Sequence, residues 1–224
     1  MTHGVVIAVD GTAACGKGTL ARLLARHYGF AHLDSGALYR LVALGVIEAN
    51  GDPANETDAV LAAYAIDPTR TTDSTIRRDD VGRAASQVAA LPAVRRALFE
   101  YQRAFAKSPP RDAPGAVIDG RDIGTVIAPN ATAKLFIDAR PEVRAHRRWL
   151  ELQALGITRN EEDVLAELNV RDAADKNRPI SPLVQAVDAA LLDTSDLGID
   201  AAFAAALALV DHKVKEALAA RQRG

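Results

Sequence analysis

Nine residues, Gly11 to Thr19 (GTAACGKGT), have the types and spacing needed to grip a chain of phosphates. They match G-x-x-x-x-G-K with one extra residue before the threonine. Phosphate oxygens must come close to a ring of backbone N–H groups, and glycine permits this because it has no Cβ. Gly11, Thr12, Ala13, Ala14, Cys15, Gly16, Lys17, Gly18 and Thr19 would together form that ring. Lys17 adds a mobile positive charge for the outer phosphates, and Thr19 can offer its hydroxyl, directly or through water, to Mg²⁺. Cys15 has two readings: a small side chain filling the loop, or a thiol whose pKa a helix N-terminus lowers.

A phosphate turn works only between a strand and a helix, where unpaired N–H groups and the positive dipole end add to the grip. The sequence supplies both. Val5–Val9 is a strand, and Leu20 to Tyr28 has helical spacing that stops at Gly29. Phe30–Leu33 is a second strand leading into a helix from about Ser35 to Ala49. Ala116–Ile118, Lys134–Ile137 and Ala189–Leu192 follow as further strands, each trailed by a turn and mostly by helix. Strands alternating with helices predict an α/β fold, a doubly wound parallel sheet of five strands.

Two stretches interrupt that rhythm and read as insertions at the sheet rim, where mobile lids are built. One spans about 52–114, mostly helix around a polar connector from Asp67 to Asp80, with Pro92 at a helix start and Arg95 in its first turn. The other spans about 156–183, where Thr158-Arg159-Asn160-Glu161 is a capping-box pattern. The expected organisation is one domain over 1–224, with its core in 1–51, 115–155 and 184–224.

Four more clusters fall where a second ligand would lie. Asp34-Ser35-Gly36-Ala37-Leu38-Tyr39-Arg40 follows the second strand, at the ligand-binding edge of such a sheet. Ser86 precedes Arg95 by nine residues. Asp119-Gly120-Arg121-Asp122 follows another strand. Arg171, Asp175 and Arg178, at i, i+4 and i+7, fall within roughly a 60° arc of one helix face. Each has a plainer reading: surface ion pairs for the last set, helix packing for Ser86, a strand-end turn for Asp119 instead of a group behind Mg²⁺. Arg144, Arg147 and Arg148 either reach ATP phosphates or are solvated helix charges; His27, His32, His146 and Trp149 show no partner pattern.

Composition excludes other classes. Net charge is −2 over 224 residues, which argues against a protein that coats nucleic acid. The single cysteine cannot form an internal disulfide and fits a reducing compartment. The run Val5–Val9 is too short for a signal peptide, and Ala201–Val210 falls short of the roughly 20 residues of a membrane span. The chain is therefore expected to be cytoplasmic, with no nucleic-acid or membrane partner; a monomer is the expected state, though composition does not argue it.

The motifs GTAACGKGT, DSGALYR, ASQVAALPAVRRAL, QRAFA, VIDGRDIGTVI, RAHRRWLELQ, RDAADKNRPISPL and LLDTS together resemble bacterial cytidylate kinases, members of the phosphate-loop nucleoside monophosphate kinases. The resemblance implies transfer of the γ-phosphoryl group of ATP, with Mg²⁺, to CMP or dCMP. It implies that Ser35, Arg95 and Asp122 face cytosine, that Arg40, Arg121 and Arg178 hold the acceptor phosphate, and that Ser86, Arg171 and Asp175 hold the sugar. Lys17, Arg121 and Arg178 would neutralise charge on the transferring group. Asp122 would accept from cytosine N4 and Arg95 donate toward N3 or O2; such a contact discriminates against uracil by about 1–3 kcal/mol. A kinase for UMP or shikimate, or a nucleotide switch with no acceptor, are the alternatives. The sequence departs from the family pattern at Ala14, where glycine is common, and in a short stretch from Ala65 to Val81.

Overall fold

Alternation along Val5–Val9 decides the layering. Val6 and Ala8 pack into one apolar cluster, while Val5, Ile7 and Val9 pack into another on the opposite side. Every residue of β1 (Val5–Gly11) is buried, as a strand covered on both faces must be. A computed structural model describes residues 4–223 and places β1 at the centre of a five-stranded sheet. Around it stand β2 (Ala31–Asp34), β3 (Gly115–Gly120), β4 (Ala133–Asp138) and β5 (Ala190–Asp193). All pairs are parallel, in the order β2-β3-β1-β4-β5. The doubly wound expectation holds.

Helices cover both faces. Leu20, Leu24, Ala206 and Val210, from α1 (Lys17–Tyr28) and α8 (Ile199–Gln222), pack against Val5, Ile7 and Val9. Leu38 and Val42 of α2 (Ser35–Glu48) pack on the other face. Val81 and Val88 of α4 (Asp79–Ala90), with Val94 and Leu98 of α5 (Pro92–Lys107), complete that layer. The first crossover runs from β1 toward β2, whereas β4 lies on the opposite flank of β1. Strand order reverses there, and ligands of such sheets bind beyond the strand ends at that point.

Several local expectations shift. α1 begins at Lys17 instead of Leu20, because Gly16 turns the chain at φ 89° and lets the helix start inside the phosphate loop. The polar connector folds into two 3₁₀ turns, Pro68–Thr72 and Ser74–Arg77, pinned by fully buried Ile76. α7 (Glu161–Lys176) is capped by Asn160, whose side chain accepts from the Glu162 N–H; the Thr158 capping box does not form. α7 also ends before Arg178, so Arg178 does not share a helix face with Arg171 and Asp175. α3 (Glu56–Ala65) and α6 (Pro141–Ala154) complete the helices. Among the described residues, no helix is long and apolar enough to cross a membrane.

Candidate functional site

β1 delivers the phosphate loop to the crevice. A Cβ on Gly11 would sit 2.0 Å from the Ile137 carbonyl oxygen of β4, so only glycine allows the strand to leave there. No side chain caps α1, which leaves its first N–H groups open to an incoming anion. The Lys17 ammonium donates to the Thr12 carbonyl at 3.0 Å. Burial, and then Arg121 nearby, push its pKa below the usual lysine value. The Thr12 hydroxyl donates to Asp138 at 2.6 Å and ties the loop to the end of β4. Cys15 is fully buried and its carbonyl accepts from Thr194, which fits the filler reading. Ala14 is left-handed at φ 58°, a conformation glycine takes without strain.

Cations stand opposite. Arg121 leaves the end of β3, and its Nε donates to Asp175 of α7 at 2.7 Å. Burial works against the Arg121 charge, but Asp175 outweighs it and holds the pKa above its usual value. Burial likewise opposes the Asp175 carboxylate, and Arg121 again wins, holding it low. Arg171 is nearly enclosed; burial, then Arg121, push its pKa down to about 10. Arg178 reaches Asp175 at 3.9 Å from the turn beyond α7. Three guanidinium atoms, Arg171 Nε and Arg178 Nε and Nη2, are buried without any hydrogen-bond partner. Arg40 donates to the Ile76 carbonyl at 2.8 Å, and burial followed by Arg77 and Arg148 lowers its pKa. Buried donors without acceptors are costly, and cations crowded together more so. An anion would relieve both.

One cavity of about 580 Å³ joins the two sides: the phosphate loop from Ala13 to Thr19, Arg40, Asp119, Arg121 and Arg171 all line it. Ser35, Ser86, Arg95, Asp122, Asp175 and Arg178 are outside its lining. The Ser35 hydroxyl donates to the Asp119 carbonyl at 2.8 Å and is buried. Arg95 Nη2 and Asp122 Oδ2 pair at 2.5 Å, each side chain 8% exposed, with the guanidinium 5.6 Å from the Tyr39 ring centre. Ser86 is half-buried on α4.

Other groups escape sequence reading because their partners lie far along the chain. His32 Nε2 meets Asp119 Oδ1 at 2.7 Å, a contact that follows from β2 pairing with β3. Arg144 is not a solvated charge. It is buried, donates to Asp172 at 2.5 Å and to the Ala13 carbonyl at 3.1 Å, while Asp172 accepts the Ala13 N–H at 3.2 Å. Arg147 donates to the Thr194 and Leu197 carbonyls, and Arg148 to Asp79 at 3.1 Å. Trp149 donates to the Arg159 carbonyl and His146 pairs with Glu161. Asp10, 4% exposed, accepts two backbone N–H groups of the turn after β3; the sole sequence signal was an acid ending an otherwise apolar strand.

A parallel α/β sheet that presents a phosphate loop at its switch point, with clustered arginines across the cleft, defines a phosphate-loop nucleotide phosphotransferase. The match with known proteins narrows the class. The family model described as cytidylate kinase covers residues 7–212, and the chain belongs to the cytidylate kinase family. It is 50% identical over 207 residues to a cytidylate kinase of Nitrobacter winogradskyi, covering 92% of this chain and 96% of that one. It is 51% identical over 207 residues to one of Rhodopseudomonas palustris strain TIE-1, again covering 92% and 96%. A third, from Rhodospirillum rubrum, is 50% identical over 209 residues, covering 93% and 98%. A solved structure of an uncharacterized protein from Eubacterium ventriosum shares the fold at TM-score 0.51 and 14% identity, covering 92% of this chain and 98% of that one.

Proposed function

We propose that this protein transfers the γ-phosphoryl group of ATP to CMP and dCMP, yielding ADP and the cytidine diphosphates. The observation that carries the reading is Arg121 and Arg171, the latter with its Nε buried and without a hydrogen-bond partner, lining one cavity together with Lys17. Phosphoryl transfer requires charge neutralisation and alignment on both sides of the moving group, and little covalent help. The loop from Gly11 to Thr19 binds the ATP phosphates, and Lys17 neutralises the transferring group from the donor side. Arg40, Arg121 and Arg178 hold the acceptor phosphate. That phosphate is already anionic near neutral pH, so no general base is needed.

Thr19 and Asp119 are oxygen donors lining the same cavity, a hydroxyl and a carboxylate of the kind Mg²⁺ accepts through its waters. They would hold the ion, which would supply charge withdrawal from the ATP phosphates. His32, paired to one Asp119 oxygen, leaves the other to face Gly18 and the loop.

The buried Arg95–Asp122 pair supports cytosine reading: a carboxylate accepts from N4 and an arginine donates to N3 or O2. Reading the base requires this pair to open toward the cavity, with Ser35 beside it. Ser86, Arg171 and Asp175 would bind the sugar. The segments 52–114 and 156–183 then act as an acceptor-binding insertion and a lid, working as a cytoplasmic monomer. A salt link of 3.7 Å from Asp79 to Arg159 joins the two, and Asp79 also reaches Arg148 of the core.

Measuring ADP release with CMP, dCMP, UMP, AMP and shikimate tests the reading. CMP and dCMP are expected to exceed UMP in kcat/KM by about 10–100-fold, the equivalent of one well-made base contact. Equal rates with UMP would remove the cytosine assignment. Hydrolysis of ATP indifferent to any acceptor would point to the nucleotide switch.

A further inference from the structure

Asp10 plays no part in the chemistry above, yet it is more deeply buried than most carboxyls of the chain. Its Oδ1 accepts the Ile123 N–H at 2.8 Å and its Oδ2 the Gly124 N–H at 2.7 Å. Those amides open a short π-helical turn, Ile123–Ile127, which follows directly on Arg121 and Asp122. The residue at the head of that turn, Asp122, makes no side-chain cap of its own. The acceptor its first N–H groups need therefore comes from another strand. Asp10 immediately precedes Gly11, the first residue of the phosphate loop. In the sheet it stands level with Gly120 on one side and Phe136 on the other.

We propose that Asp10 is a positioning residue: its carboxylate fixes the Arg121–Asp122 turn against the start of the phosphate loop, and so sets acceptor affinity and base preference while touching neither nucleotide. This rests on the CMP reading above. Two successive amides on one carboxylate make a rigid joint, because both oxygens are committed and the group has no solvent to exchange with. The charged groups facing it are Asp122, which repels it, and Arg121, which attracts it. From β4, the Lys134 ammonium is turned away to the Pro129 carbonyl and Asp188. Burial is the largest influence and raises the Asp10 pKa to about 6, against the pull of the two amides.

Asp10→Asn keeps the shape but offers a single acceptor oxygen, so its NH₂ group must face one of the two amides. The expected result is a rise of about tenfold in KM for CMP, with a narrowed CMP-over-UMP preference and an unchanged KM for ATP. Equal rises in both KM values, or a fall in kcat alone, would overturn the proposal. A wild-type enzyme without CMP preference would instead count against the CMP reading, which separates the two failures. The nucleotide-free wild-type protein supplies a second test. As pH falls through about 6, the backbone amide NMR signals of Ile123 and Gly124 should titrate, and those of Arg121 and Asp122 should move with them. If Arg121 and Asp122 stay fixed while Ile123 and Gly124 titrate, the carboxylate does not position them and the proposal fails.

Discussion

Replacing Lys17 by alanine is expected to lower kcat by roughly 10²–10³-fold while leaving the protein folded. The ammonium lies at the floor of the cleft, and the Thr12 carbonyl is its protein partner at 3.0 Å. An ammonium carries three donors, so capacity remains for phosphate oxygens. Burial depresses its pKa, so the protein itself opposes the charge that a polyphosphate would welcome. Alanine relieves that opposition, so the fold does not suffer. The interaction lost is one that strengthens as charge builds on the transferring group. Single-turnover rates at saturating ATP, with circular dichroism as the folding control, make the measurement. A variant of near-wild-type kcat would show that Lys17 does not meet the transferring group.

Arg121→Met should be nearly as damaging, through two separable effects. The acceptor side loses a guanidinium that lines the cavity, and kcat/KM for CMP is expected to fall about 10²–10³-fold. The fold also suffers, because the 2.7 Å pair with Asp175 is broken and leaves a half-buried carboxylate. Breaking a fully buried pair costs about 3–5 kcal/mol. With Asp175 16% exposed and Arg178 within 3.9 Å, the cost should lie toward the lower end. Adding Asp175→Asn to Arg121→Met removes the orphaned charge. Thermal melting should then recover in part while kcat/KM stays low. Recovery of both would make Arg121 a structural residue only.

How much of this was legible in the sequence depended on whether the controlling interaction was local. The strands were readable because each is a short apolar run between turns, and β1 and β3, buried along their whole length, show little alternation to confuse the pattern. The phosphate loop was readable because its chemistry lies in nine consecutive residues. Arg121 and Asp175 could be named as site residues, yet their mutual bond could not, since they stand 54 positions apart. The same holds for Arg144 with Asp172 and for His32 with Asp119, joined by helix docking in one case and strand pairing in the other. Helix periodicity misplaced Arg178 because α7 stops at Lys176; Asn177 at the cap and Pro179 after Arg178 are the local signals that end it. The π-helical turn after Asp122 was invisible for a different reason. What supports it is Asp10, on a strand more than a hundred residues earlier.

The docking of Asp172 and Arg144 on Ala13 bears on how the lid would move. α7 is fastened to the donor loop through buried groups and a small apolar cluster of Ala13, Ala145, Leu152, Val164 and Leu168. Large-scale swinging of the whole segment 156–183 would expose that cluster and strip a buried arginine of its partner. Any closure around CMP is better carried by the segment beyond α7, where fewer buried contacts resist.

A cytidine joined to an adenosine through a linear polyphosphate chain offers the most direct measurement, because it can bind well only if both phosphate-gripping sides share one cleft. It should inhibit competitively against ATP and against CMP, and lose affinity in both Lys17→Ala and Arg121→Met. Competition with ATP alone, with Arg121→Met indifferent, would mean that no acceptor pocket faces the phosphate loop.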